Sequence, residues 1–199
     1  LYALIANFNL HGEHVPSTVS VVYTPDMVEV DQIPTCTMPH GLRMAPDGLF
    51  AYSLCMMDDQ LVEIDTRSFQ VSRRFSVSTG AEGALTDYIA PEVMTGSRGM
   101  TVAAEDVSMT GMVMKDPTCS PTWVQPTPDD RALYVACNKS NEILVIDRED
   151  WSLVRKFQTG RAPYNLGISD NGTVLVASLK GAGQVQFFDA ETGESLAIV

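Results

Sequence analysis

The sequence predicts an all-β fold assembled from repeated four-stranded antiparallel units, on three observations. The first is a set of gapless copies beginning at Pro39, Pro121 and Pro163. In each copy Asp47, Asp129 or Asn171 stands eight positions on, and Tyr52, Tyr134 or Val176 thirteen on. Twenty-six positions on stands Asp65, Asp147 or Asp189, each after an apolar residue (Ile64, Ile146, Phe188). The second is the period, the step from Pro121 to Pro163, since self-similarity at a spacing of about 40 residues marks a repeat architecture. The third is alternation of apolar and polar residues in short runs between turn residues, the period of half-buried strands, with no helical spacing sustained over about eleven residues. Four short antiparallel strands in a repeat of about 40 residues predict the blade of a β-propeller.

The blades follow in order along the chain. Tyr23 stands as far before Pro39 as Asp147 stands before Pro163, so Val22-Tyr23 takes the place of Ile146-Asp147. Residues 1–38 are therefore a partial blade holding strands two to four, with 1–6 as its second strand. Residues 39–80 form the next blade. The step from Pro39 to Pro121 is nearly twice the step from Pro121 to Pro163, and the landmarks lapse within it: Ile89-Ala90 stands in the Asp-Gly place and Asp106-Val107 in the Ile-Asp place. Residues 81–118 are read as an inter-blade insertion rather than a degenerate blade, and loops of that length are usually functional or disordered. Residues 119–160 give the clearest blade, with strands expected at 122–126, 132–137, 142–147 and 152–157. Residues 161–199 form a last blade that ends within its fourth strand. The total is about three and a half blades, whereas closed rings use about 4–8, and an open arc leaves unpaired strand edges. The chain is expected to be a fragment of a larger propeller, or one completed by another chain. Across the offset from Pro39 to Pro121, Val124, Pro126, Leu133, Val135, Ile143 and Val145 are expected to match Leu42, Met44, Ala51, Ser53, Leu61 and Glu63, each set on one face of its blade.

The segments Pro39-His40-Gly41-Leu42-Arg43-Met44-Ala45-Pro46-Asp47-Gly48, Tyr134-Val135-Ala136-Cys137-Asn138 and Ile143-Leu144-Val145-Ile146-Asp147 resemble the YVTN-type β-propeller repeat family. The resemblance covers 1–80 and 119–199. It implies an extracytoplasmic (periplasmic or secreted) location but no particular activity, because the fold hosts many unrelated functions. Two departures stand out: Cys36 and Cys119 occupy inter-blade junctions where small residues are usual, and Cys55-Met56-Met57 replaces a polar turn.

Composition narrows the partners. A hydrophobic content of 45% with 19% charged residues describes a globular chain. A net charge of −12 argues against nucleic acid or an anionic membrane surface as partner. No apolar run approaches the ~18 residues of a membrane span. No signal peptide is readable, nor is one expected in a chain beginning in mid-blade. Four cysteines allow three disulfide connectivities, and none has CxxC spacing.

In a propeller the junctions between blades and the second-to-third-strand loops emerge on one face. All three histidines map there: His11 and His14 in a stretched loop around Glu13, and His40 at the first junction. The cysteines, Met57 and the Met-rich 81–118 segment map on or near the same face. Imidazole, thiolate and thioether together suit copper, and imidazole with carboxylate suits zinc or iron. Glu13 can serve as a third ligand or orient an imidazole. This resembles propellers that hold copper or haem through histidines at the channel mouth. The metal candidates are thus His11, His14, His40 and Glu13, with Cys36, Cys119 and Met57 secondary; Cys36 and Cys119 are also disulfide candidates. Other readings of the same residues stay open: His40 as an ordinary variant of the repeat start, His11 and His14 as solvated loop residues, Cys55 and Cys137 as small core residues. No nucleophile elbow, phosphate loop or haem-attachment motif is present. Asp65, Asp147 and Asp189 are expected to be turn formers that cap their own backbone. Two functional expectations result: a module binding a protein or small ligand on its loop-bearing face, or a copper- or haem-dependent redox protein. Whether the chain is an enzyme is left open.

Overall fold

A computed structural model of the chain describes residues 1–8, 15–86 and 116–199. These form sixteen strands and no helix, in four antiparallel sheets that are the blades of a β-propeller. Blade one holds β1 (Tyr2–Ala6), β2 (Pro16–Tyr23) and β3 (Val28–Thr37). Blade two holds β4 (Pro39–Met44), β5 (Phe50–Cys55), β6 (Gln60–Asp65), β7 (Gln70–Ser76) and a two-residue β8 (Gly83–Ala84). Blade three holds β9 (Pro121–Pro126), β10 (Ala132–Cys137), β11 (Glu142–Asp147) and β12 (Ser152–Gln158). Blade four holds β13 (Pro163–Ile168), β14 (Val174–Leu179), β15 (Gln184–Asp189) and β16 (Ser195–Ile198). Strands follow sequence order in every sheet. The innermost strands of blades two to four lie side by side, β4 against β9 and β9 against β13. Part of the 81–118 segment extends blade two: β8 pairs with β7 through Phe75↔Ala84 and Ser76↔Gly83. Residues 87–115 lie outside the described residues.

The repeat carries through to the ladders. Ala51 faces Ile64, Leu133 faces Ile146 and Leu175 faces Phe188. The third strand is bulged at the same place each time, between Glu63 and Ile64, Val145 and Ile146, and Phe187 and Phe188. In blades two to four each hairpin turn carries one residue in the left-handed region at a corresponding repeat position. Gly48, Asp130 and Gly172 (φ 72, 60 and 73°) serve the first turn, and Asp59, Asn141 and Gly183 (51, 59 and 65°) the second. Phe69, Trp151 and Gly193 (55, 53 and 77°) serve the third. Short polar side chains supply local hydrogen bonds that stabilise such turns. Asp65 Oδ1 accepts from the Arg67 amide at 2.8 Å, Asp147 Oδ1 from the Asp150 amide at 2.8 Å, and Asp189 Oδ1 from the Thr192 amide at 2.8 Å, as their turn-forming role requires.

The core consists of three layers, each between two blades. Val19, Val21, Ile33, Ala51, Val62 and Ile64 fill the first. Tyr52, Leu54, Leu61 and Phe75 meet Val124, Leu133, Val135, Leu144 and Ile146 in the second. Tyr134, Ala136, Ile143 and Val145 meet Leu166, Leu175, Ala177 and Phe188 in the third. The expected single-face grouping is corrected here. Partners across an antiparallel ladder share a face, and Val135 is paired with Leu144, so Ile143 and Val145 point to the opposite side, toward blade four. Glu63, 1% exposed, is neutralised by Arg73 at 2.6 Å and accepts from Ser72 Oγ at 2.7 Å.

Candidate binding face

The junctions entering blades two, three and four meet the second-to-third-strand hairpins at one end of the arc, and cross-links hold them there. Cys36, at the end of β3, is bonded to Cys55 at the end of β5; Cys119 is bonded to Cys137 at the end of β10. Among the described residues every cysteine is oxidised, and all four are 0% exposed. Two expectations are thereby corrected. Cys36 and Cys119 offer no thiolate to a metal, and Cys55 and Cys137 are not unpaired core residues but the other halves of the bridges. The same contact recurs in blade four without sulfur: Gly160 stands at the junction and Leu179 at the strand end, with the Leu179 Cδ1 where a Gly160 side chain would be. Backbone bonds complete the pattern, from the Met56 amide to the Met38 carbonyl (3.1 Å), Asn138 to Ser120 (3.2 Å) and Lys180 to Ala162 (2.9 Å).

Asp59 is the polar centre of this face. It is 2% exposed and sits in the left-handed turn position of blade two. Its Oδ2 accepts from the Thr118 amide (2.5 Å), the Thr118 hydroxyl (2.9 Å) and the Ser78 hydroxyl (3.0 Å). Its Oδ1 accepts from the Ser120 amide at 2.7 Å and the Cys119 amide at 3.2 Å. One carboxylate thus satisfies three successive backbone donors of the junction entering blade three, donors that would otherwise be buried without partners. Asn141, the equivalent residue of blade three, does the same for one donor of the next junction, its Oδ1 accepting from the Ala162 amide at 2.7 Å. Asp58 reaches back instead, Oδ2 accepting from the Thr37 amide at 2.7 Å. Burial pushes the Asp58 carboxyl above its usual range, opposed by that bond.

His40 stands at the inner rim. Its Nδ1 lies 2.7 Å from the Thr122 carbonyl and its Nε2 2.9 Å from the Tyr164 hydroxyl. These partners assign the neutral tautomer in which Nδ1–H donates to the carbonyl and Nε2 accepts from the phenol. Phe8 and Tyr164 pack edge-on to the ring, with centroids at 4.8 and 5.4 Å. Burial, the largest influence, holds the His40 pKa below its ordinary 6.5, against the Thr122 bond. Gly41 makes the approach possible: at φ 48° it faces the Thr122 carbonyl where any side chain would collide. In this arrangement neither ring nitrogen of His40 has a lone pair free for a metal, so His40 functions as a strut from blade two to blades three and four. Met57 lies half-buried on the same face. His11, Glu13 and His14 lie outside the described residues, and no group of three metal-ligating side chains occurs among the described ones. Asp59 and the disulfide pairing are the features that sequence reasoning missed.

No family model matches the chain, and no curated sequence matches it. Among solved structures, hydrazine synthase of Kuenenia stuttgartiensis is similar, with a TM-score of 0.66 and 22% identity. The match covers 91% of this chain and 42% of that one, so the chain spans less than half the length of the protein it resembles. At this identity the likeness shows the fold alone.

Proposed function

We propose that the chain is the arc of a YVTN-type propeller, in an extracytoplasmic compartment, that works as a binding module through its loop-bearing face. The observation that carries this reading is the cross-linking of that face: two disulfides and the Asp59 carboxylate hold successive junctions in place. Loops ordered in advance lose little entropy when a partner docks, so they suit recognition. The YVTN assignment rests on the repeat residues. The location draws support from the disulfides, which persist in oxidising compartments. The donor chemistry of the described residues favours binding over metal-dependent redox work, since the cysteine sulfurs are paired and His40 commits both nitrogens to the protein.

Site-specific photo-crosslinking in the full-length protein tests the reading. A crosslinker at Met57, on the loop-bearing face, is expected to capture a discrete partner in its native envelope, while one at Val154, 53% exposed on the outer strand β12, captures none. Equal or no capture from the two positions would sink the proposal. Metal content of the same preparation decides the alternative: stoichiometric copper, iron or zinc, lost when His11 and His14 are both replaced by Ala, would favour the redox reading.

A further inference from the structure

The opposite end of the arc carries a second candidate site. There the inner strands β4, β9 and β13 run out into their first turns and border an open concavity of about 520 Å³. Pro46, Pro126 and Pro128 with Met44 and Ile168 give it an apolar wall, and Gln125 and Ser169 are polar groups on its lining. Such a volume falls within the range of small-molecule sites.

Arg43 stands in this concavity. Its guanidinium carbon lies 5.0 Å from the centroid of the Trp123 ring, which covers one face of the planar fork. Arg67, Arg73, Arg131 and Arg148 each pair with a carboxylate. The Arg43 side chain has no hydrogen bond or ion pair among the described residues and stacks on Trp123. The repeat does not call for this pair. Four positions after the copy's proline stand Arg43, Gln125 and Gly167, and two after it stand Gly41, Trp123 and Asn165. An arginine stacked on a tryptophan is therefore an addition to the blade pattern rather than a requirement of it.

We propose that this concavity binds a small organic monocarboxylate with an apolar body. The exposed edge of a stacked guanidinium presents N–H donors in the geometry that a carboxylate accepts bidentately, and the proline wall takes the apolar part. A single cation, with Asp170 on the same rim and a chain of net charge −12, disfavours multiply charged anions such as phosphate. The site is separate from the loop-bearing face, so its failure leaves the binding-module reading untouched.

Titration of the full-length protein by calorimetry, with benzoate, its neutral isostere benzamide and inorganic phosphate, tests the proposal. Benzoate is expected to saturate one site below about 10 mM and to bind about tenfold tighter than benzamide, the difference a charge-assisted hydrogen bond supplies. Arg43→Gln is expected to bring benzoate down to the benzamide level. Phenylglyoxal labelling read by mass spectrometry adds a measurement on the unaltered protein: benzoate protects Arg43 but not Arg67, whose side chain is 66% exposed. Equal affinity for benzoate and benzamide, tighter binding of phosphate, no saturation, unchanged benzoate binding by Arg43→Gln, or unprotected Arg43 would each overturn it.

Discussion

At the scale of residues, two side chains on the loop-bearing face have roles that their letters only partly announce. His40 reads in the sequence as part of Pro39-His40-Gly41, a variant repeat start, and also as a ligand candidate; its bonds to Thr122 and Tyr164 make it a strut. Because burial holds its folded pKa below the ordinary 6.5, the unfolded chain binds the proton first. Its contribution is complete above about pH 6.5 and is lost as pH falls toward the folded value. Denaturant unfolding at pH 7.5 and 5.5 should show the wild type losing more stability on acidification than His40→Gln. Equal losses would mean that His40 is not the titrating strut. Asp59 stands in the sequence with no motif around it to mark it. Its partners are backbone amides of a junction distant in sequence, and no side-chain pattern reports those. Asp59→Ala should cost about 3 kcal/mol, because it leaves the amides of Thr118, Cys119 and Ser120 buried without acceptors. Asp59→Asn should cost less, since Asn141 performs the same task for one amide in blade three. Urea unfolding of the two variants ranks them, and an Asp59→Ala protein as stable as wild type would refute the role.

At the scale of elements, the strands were legible because both periodicities were strong. Alternation placed the strands, and the register of the repeat placed the turns. The expected strands at 132–137 and 142–147 coincide with β10 and β11. What failed was parity: the face of a strand depends on which residues it opposes, and Leu144 rather than Ile143 opposes Val135. Cys36 and Cys119 were legible as disulfide candidates, but their partners were not, for a related reason. Cys55 and Cys137 were visibly equivalent, but Cys36 and Cys119 stand three and two positions before their prolines, and only the folded junction brings each to its strand end. The bridges close sequence separations of 19 and 18, loops for which a disulfide contributes about 3 kcal/mol. Cys36→Ser/Cys55→Ser and Cys119→Ser/Cys137→Ser should each lower stability by about that amount. Blade four should be unaffected by reductant, because Gly160 and Leu179 fill the same contact with hydrocarbon. Hydrogen exchange with and without dithiothreitol checks this: protection should fall at the junctions entering blades two and three and persist in β13 and β14. Uniform loss across all blades would contradict the local role.

At the scale of the whole molecule, the blades share one interface used three times, and its last copy has a free side. Tyr134, Ile143 and Val145 are 4, 0 and 2% exposed against blade four. One period on, Val176, Val185 and Phe187 occupy the same places on blade four's outer face and are only partly buried. That face repeats a pattern which, three times in this chain, accepts the next blade, so the occupant it suits is another blade of the same kind. The four sheets agree with the sequence count of about three and a half blades, the first sheet having three strands. For this chain alone, apolar contact through the free face should drive self-association at high concentration. Val176→Lys with Phe187→Glu should abolish it and keep the blades folded, because both positions project away from blade three. Sedimentation velocity over a concentration series separates the outcomes. A wild-type chain that stays monomeric and binds no hydrophobic dye would show that the face is sufficiently covered by blade four itself. Association that survives the double substitution would move the interface elsewhere, the unpaired edge of β1 being the next surface to examine.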